Sequence, residues 1–490
     1  MAGRDVEHGP RRVLKWSALV LVLVLVAGAA CWRLGYLDDW IDGFGGDDAP
    51  TSPADVAPPP DVDVPPVEQP AALARPADGS ARLDKAAIGR AIGGLLRNKN
   101  LGKHVLAAVA PLDGSGVTYT SGTGLATPAS TTKVVTSTAA LFLLGPDHTF
   151  DTTTVLEGRG ADRQLVLVGG GDPFLLSSQD AQWGTSTPAT YSPPKADIGT
   201  LAQRSARELR SEGVRRVRLG YDDSLFDGPA VNPHWEPSYV PDGVVSPISA
   251  LWVDEGRDPS GYGRVGDPSL AAAQVFAAAL EKAGITVLGA PTHTVAAHAA
   301  ADVASVSSPP LAQIVQRLIE VSDNEAAEVL LRQVGVADQG AGSIVAGQAG
   351  VRRVLKANGV DMAGSVLYDG SGLSRDDRMA PELLLDVLRL AADPRQPDLR
   401  AVVSSLPVAA YTGSLADRMD HGAPAGRGRV RAKTGTLTGV TALAGIAVDL
   451  DGDLMVFALM ADRVPPPREG LAQTAMDDAA DALGACHCGR

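Results

Sequence analysis

The chain has 490 residues, 45% of them hydrophobic and 20% charged, which is ordinary globular composition and room for two or three domains with real cores. A net charge of −14 with no basic stripe argues against nucleic acid as a partner. The eight histidines are scattered with no ligand-spaced pair, and the three cysteines offer no disulfide framework, so no metal or cofactor is expected.

Arg4, Arg11, Arg12 and Lys15 make residues 1–15 a basic, cytoplasmic N-terminus. Residues 16–36 begin with an uncharged run from Trp16 to Trp32. As a helix that run spans about 25 Å, at the short end for a bilayer. It reads as a transmembrane anchor, or as a signal segment cleaved near Ala27-Gly28-Ala29. Either way the bulk of the protein is exported: single-pass at the cell membrane with an extracytoplasmic body, or secreted. Residues 37–80 are rich in Pro, Ala and Asp and read as a disordered spacer.

Order is expected from Leu83, with a helix to Arg97 and a hairpin of Val105 to Ala110 and Val117 to Thr120. Thr127-Pro128 then reads as a cap and first helical position, and the apolar run Val134 to Leu144 as a buried helix stopped by Gly145-Pro146. Ser130 falls in its first turn with Lys133 on the same face. A hydroxyl, an amine and the positive helix end meet there, which is what a nucleophilic serine needs. Alone, Ser-x-x-Lys is a weak signal, equally an ordinary helix start with an exposed lysine.

From 150 to 306 strand-like runs (Gln164 to Val168, Arg216 to Leu219, Ile285 to Leu288) alternate with helical ones (Ile198 to Leu209, Leu270 to Ala283). This reads as α/β material inserted into another domain, made of residues 81–149 and 307–485. Gly169-Gly170-Gly171-Asp172 reads as a tight turn, and Trp235 and Tyr239 as surface packing or a substrate wall. An amphipathic helix from Pro310 to Val321 leads into Ser322-Asp323-Asn324-Glu325, a good helix cap. Asp369 to Ser374 is a turn cluster. Arg429 to Thr436, Val440 to Leu450 and Leu454 to Met460 read as strands, and Arg468 to Leu483 as a closing helix. Cys486-His487-Cys488 reads as a loose tail.

Ser130-x-x-Lys133, Ser322-Asp323-Asn324 and Lys433-Thr434-Gly435 occur in that order, an ordered trio shared by class A β-lactamases and penicillin-binding proteins. With it come Val245-Ser246-Pro247-Ile248-Ser249-Ala250-Leu251, Asp369-Gly370-Ser371-Gly372-Leu373-Ser374 and Val430 to Leu437. From about Leu83 to Ala485 the chain resembles the D-alanyl-D-alanine carboxypeptidases and endopeptidases of peptidase family S13, low-molecular-mass penicillin-binding proteins with a large insertion.

The resemblance implies an α/β (α+β) fold: a β-lactamase/transpeptidase-like serine acyl-enzyme domain carrying a large α/β insertion. It implies a penicillin-sensitive hydrolase acting on the D-Ala-D-Ala peptides of peptidoglycan, with β-lactam antibiotics as inhibitors. Ser130 would attack the carbonyl and Lys133 take its proton. Ser322, helped by Lys433, would relay a proton to the leaving D-alanine. Asn324 would bind the substrate amide and hold Lys133, and Thr434 with Lys433 the terminal carboxylate. The N–H groups of Ser130 and Thr436 would form the oxyanion hole, with Gly435 leaving room for a peptide along the strand. Two rivals are a β-lactamase or esterase on the same fold, and a non-catalytic wall-binding protein, for which Lys133 has no use. Lys133 should be buried and neutral when it acts; Lys433 should be the more exposed of the two and stay charged.

Overall fold

The computed structural model describes residues 83–114, 116–178 and 193–489. The basic N-terminus, the apolar segment 16–36 and the spacer 37–80 lie outside them. Among the described residues no helix is long and apolar enough to cross a membrane.

The chain opens with helix α1 (Lys85–Ile92), capped by the Asp84 carboxylate on the Ala86 N–H. Strands β1 (Val105–Pro111) and β2 (Tyr119–Ser121) form the hairpin, and α2 (Thr132–Leu144) follows. The inserted stretch holds β3 (Asp151–Glu157), β4 (Gln164–Val168), α3 (Ile198–Ser211), β5 (Arg216–Asp222), α4 (Pro268–Lys282), β6 (Thr286–Val287), β7 (Thr292–His293) and β8 (Ala301–Ser307). Helices α5 (Leu311–Val321), α6 (Asn324–Gln339), α7 (Ile344–Ala357), α8 (Pro381–Ala392) and α9 (Arg400–Ser404) come next. Strands β9 (Val430–Leu437), β10 (Val440–Val448), β11 (Leu454–Ala461) and helix α10 (Glu469–Gly484) end the fold.

The first sheet runs β2–β1–β11–β10–β9, antiparallel throughout, with β9 at an edge. Its strands β1, β10 and β11 are largely buried on both faces, and their period of two sorts side chains into two cores. Leu106, Ala108 and Ala110 of β1 face a helical lobe with Val134, Leu318, Leu330 and Leu384. Ala107 and Val109 face Ile88, Ile92, Met476 and Leu483 of α1 and α10. Small residues on these strands let the helices approach closely, and this three-layer stack fixes α2 against the sheet.

The second sheet, β6–β5–β4–β3–β8 with β7 also on β5, is mixed: β4 and β5 are parallel, β3 pairs antiparallel with β4 and β8. Leu165, Leu167, Val217 and Leu219 pack under α3 and α4 with a core of their own. Gly169 and Gly170 are glycine because the backbone passes other strands closely: a Cβ at Gly170 would meet the Asp151 carbonyl at 2.0 Å.

Two expectations are corrected here. The tail is not loose: Cys486 and Cys488 are joined by a disulfide and Cys488 is fully buried. Its N–H donates to Asp449 and its carbonyl accepts from the Asp84 N–H, so the end of the chain closes onto its ordered beginning. Trp235 and Tyr239 are not on the surface; they pack with Val245, Trp252, Val329 and Leu373 at the join between insertion and helical lobe.

Candidate active site

Ser130 stands one step ahead of where the capping signal put it. Residues Ala129–Thr131 form a single 3-10 turn and α2 begins at Thr132. Thr127 does not cap the helix; its hydroxyl accepts from Arg378 at 3.0 Å, and its N–H donates to Asp462. Ala129 has a φ of +48°, and Gly372 presses against it so closely that a Cβ there would meet the Ala129 carbonyl at 1.9 Å. This clamped turn carries Ser130 to the positive end of α2.

Lys133 is completely buried. Its Nζ lies 2.9 Å from Ser130 Oγ, 2.9 Å from Asn324 Oδ1 and 2.7 Å from the Ser371 carbonyl. The last two can only accept hydrogen bonds, so they claim two N–H groups. In a neutral amine the remaining lone pair points at the Ser130 hydroxyl, the one partner with a proton to give. Burial pulls the Lys133 pKa down to about 8, against the raising charges of Asp369, Glu328, Asp323 and Glu325.

The acceptors are themselves held. Asn324 donates through Nδ2 to the Val244 carbonyl at 3.0 Å. Glu328 accepts from the Gly370 and Ser371 N–H groups, and Asp369 from Gly372, Ser374 and the Trp235 indole. Together they fix the turn whose carbonyl meets Lys133.

Lys433 lies across the cleft on β9. Its Nζ is 2.8 Å from Ser322 Oγ and 2.9 Å from the Thr434 carbonyl. Ser322 ends α5 with a φ of +63°, which turns its side chain toward β9. The Thr434 hydroxyl is 2.9 Å from Ser414 Oγ, while Thr436 is exposed. Gly435 has a packing reason besides the expected one: a Cβ would meet the Pro128 carbonyl at 2.6 Å, so glycine lets the strand lie against the turn that carries Ser130. Six of the eight residues singled out in the sequence therefore fall into two hydrogen-bonded clusters, Ser130–Lys133–Asn324 and Ser322–Lys433–Thr434, and Gly435 and Thr436 continue strand β9 beside them.

The model of the D-Ala-D-Ala carboxypeptidase 3 (S13) family matches residues 90–260 and 257–483. The chain belongs to the S13 family. This S13 chain is 32% identical to a carboxypeptidase of Mycobacterium tuberculosis, over 74% of this chain and 76% of that one. It is 34% identical to carboxypeptidase DacB of Mycolicibacterium smegmatis, again over 74% and 76%. Its fold matches penicillin binding protein 4 (dacB) from Haemophilus influenzae with a TM-score of 0.64 and 20% identity, covering 81% of this chain and 98% of that one.

One expectation about the S13 site is overturned. Lys433 is not the more exposed lysine; both are fully buried. Burial, then the nearby Lys133 and Arg418 charges, push the Lys433 pKa well down, so its charge is disfavoured while no anion is bound. The insertion also reaches the site. Val244 touches Asn324, Trp235 holds Asp369, and Arg264 pairs with Glu325. Sequence reasoning missed Ser371, Glu328 and Val244 because two of them act through backbone carbonyls, which leave no residue-type signature; Glu328 had a faint one, an acid one helical turn beyond Asn324.

Proposed function

We propose that this S13 protein, a serine-type D-Ala-D-Ala carboxypeptidase, works through an acyl-serine intermediate on Ser130 with Lys133 as its base. The observation that carries the assignment is the Lys133 amine, which has two pure acceptors and one hydroxyl around it. In acylation, Ser130 Oγ bonds to the carbonyl carbon between the two D-alanines as its proton passes to Lys133 Nζ. The C–N bond then breaks as the proton held by Lys133 passes through the Ser322 hydroxyl, which Lys433 orients, to the leaving amine, and Lys133 is neutral again. Water next attacks the ester carbon, its proton taken by Lys133; the bond to Ser130 Oγ breaks as Lys133 returns that proton to it, and the shortened peptide leaves. The Ser130 and Thr436 N–H groups would hold the oxyanion. Asn324 would meet the substrate amide, and Thr434 with Lys433 the terminal carboxylate. That carboxylate supplies the anion Lys433 lacks, so binding would draw a proton onto Lys433.

The same cleft would accept the D-Ala bond of a cross-link, giving endopeptidase action. We further propose that residues 16–36 anchor or export the protein and that 37–80 space it from the membrane. Purified protein should release free D-alanine from an N-acylated peptide ending in D-Ala-D-Ala, and Ser130→Ala should release none. D-alanine release at an undiminished rate by Ser130→Ala would overturn the assignment.

A further inference from the structure

Just before Arg257, the inserted segment makes a turn that has no local reason to exist. Asp254, Glu255 and Gly256 have φ values of +51°, +56° and +65°. Two successive non-glycine residues in the left-handed region are costly, and such strain persists only where surroundings impose it. Its effect is to drive Glu255 inward, where the residue is 1% exposed. Ser246 holds the turn by donating to the Glu255 carbonyl, and Gly256 is packed against Ser246.

Glu255 arrives at the start of α6. One of its oxygens, Oε2, takes a hydrogen bond from Arg257 at 2.9 Å. The other, Oε1, is buried and receives no donor among the described residues; Asp323 Oδ2 is in the same condition. The two carboxyls lie close enough for a hydrogen bond between them once one is protonated. Two buried acceptors facing one another are repulsive unless a proton lies between them, and a single proton satisfies both. Asp323 Oδ1 meanwhile caps α6 through the Ala326 N–H at 2.9 Å. Asp323 is flanked in the chain by Ser322 and Asn324, whose side chains meet Lys433 and Lys133.

We propose that Glu255 is a positioning residue for this reaction: it shares one proton with Asp323 and so holds the Ser322–Asn324 segment in register with Ser130. This rests on the serine acyl-enzyme reading above. It gives the insertion a part in acylation that the motif trio does not reveal. The groups facing Glu255 are Asp323 and Glu325 at the start of α6, Arg257 on its own turn, and Lys195; Arg264 faces Glu325 in turn. Burial first, then the Asp323 and Glu325 charges, raise the Glu255 pKa well above the carboxylate range. A raised pKa favours the shared proton, which is lost as pH rises through it.

The test is the pH profile of Ser130 acylation by a labelled penicillin in the intact protein. Wild type should rise with pH as Lys133 loses its proton and fall again on an alkaline limb at higher pH as the shared proton is lost. Glu255→Gln keeps a donor toward Asp323 and an acceptor for Arg257 but cannot ionise, so it should acylate within about 3-fold of wild type at pH 7 and lose that limb. Glu255→Ala should acylate about 10- to 100-fold more slowly at every pH, because the segment loses its register. If Glu255→Ala fails to fold, Glu255→Gln alone decides. An unchanged alkaline limb in Glu255→Gln, or a wild-type rate in Glu255→Ala, overturns the proposal. A wild type acylated at Ser130 separates that result from failure of the acyl-enzyme reading itself.

Discussion

Replacing Lys133 with methionine is expected to slow acylation of Ser130 on the order of 10³-fold, the range of a lost general base. Methionine matches the length of the lysine stem and keeps the apolar packing of a side chain that is fully buried. It removes the amine that alone can receive the Ser130 proton, since Asn324 Oδ1 and the Ser371 carbonyl already require the other two positions. Lys133→Arg should be as inactive. A guanidinium does not deprotonate, and its bulk must enter a space already filled. The same account fixes a pH dependence. The free amine is the active form and the Lys133 pKa is lowered to about 8, so the wild-type rate should rise with pH through that value. Rapid mixing with a chromogenic β-lactam measures both. A near wild-type rate in Lys133→Met, or a rate that falls as pH rises through 8, would remove Lys133 as the base.

Lys433→Met should lower acylation about 100-fold, and mainly through weaker substrate capture. Two contacts are lost, one to Ser322 Oγ and one to the Thr434 carbonyl, and with them the cation for the substrate carboxylate. An arginine at this position retains charge, and a surface site would tolerate it. Lys433 is enclosed, however, so Lys433→Arg should be no better than partly active, its larger head displacing Ser322. A D-Ala-D-Ala ester lacking the free carboxylate should react with Lys433→Met and wild type at rates far closer together than the parent substrate does. Equal loss on both substrates would place Lys433 in proton transfer alone.

Much of this was legible in the chain because the chemistry resides in side chains of rare combination. Ser130, Lys133, Ser322, Asn324 and Lys433 meet within hydrogen-bonding distance as the ordered trio implied. The strands from Val430 to Ala461 were readable from turn residues at Thr438-Gly439 and Asp451-Gly452. Other features were not. Helices α7 and α8 went unseen although both have an apolar face; α7 carries Gly347 and Gly350, residues that weaken a helix signal, and α8 has no side-chain cap. The cap at Thr127 was misplaced because a tertiary partner, Arg378, claims its hydroxyl. The need to stay charged for a carboxylate predicts an exposed Lys433; the fold instead buries it, with its amine on Ser322 Oγ and the Thr434 carbonyl. The tail disulfide between residues two apart, Cys486 and Cys488, has no loop for sequence spacing to announce.

The most direct test of the acyl-enzyme mechanism is intact mass spectrometry after brief exposure to benzylpenicillin, followed by peptide mapping. The mechanism predicts one covalent adduct per chain, located on the peptide containing Ser130, and none on Ser130→Ala. An adduct on another residue, or an unmodified wild type whose fold is intact, would contradict it.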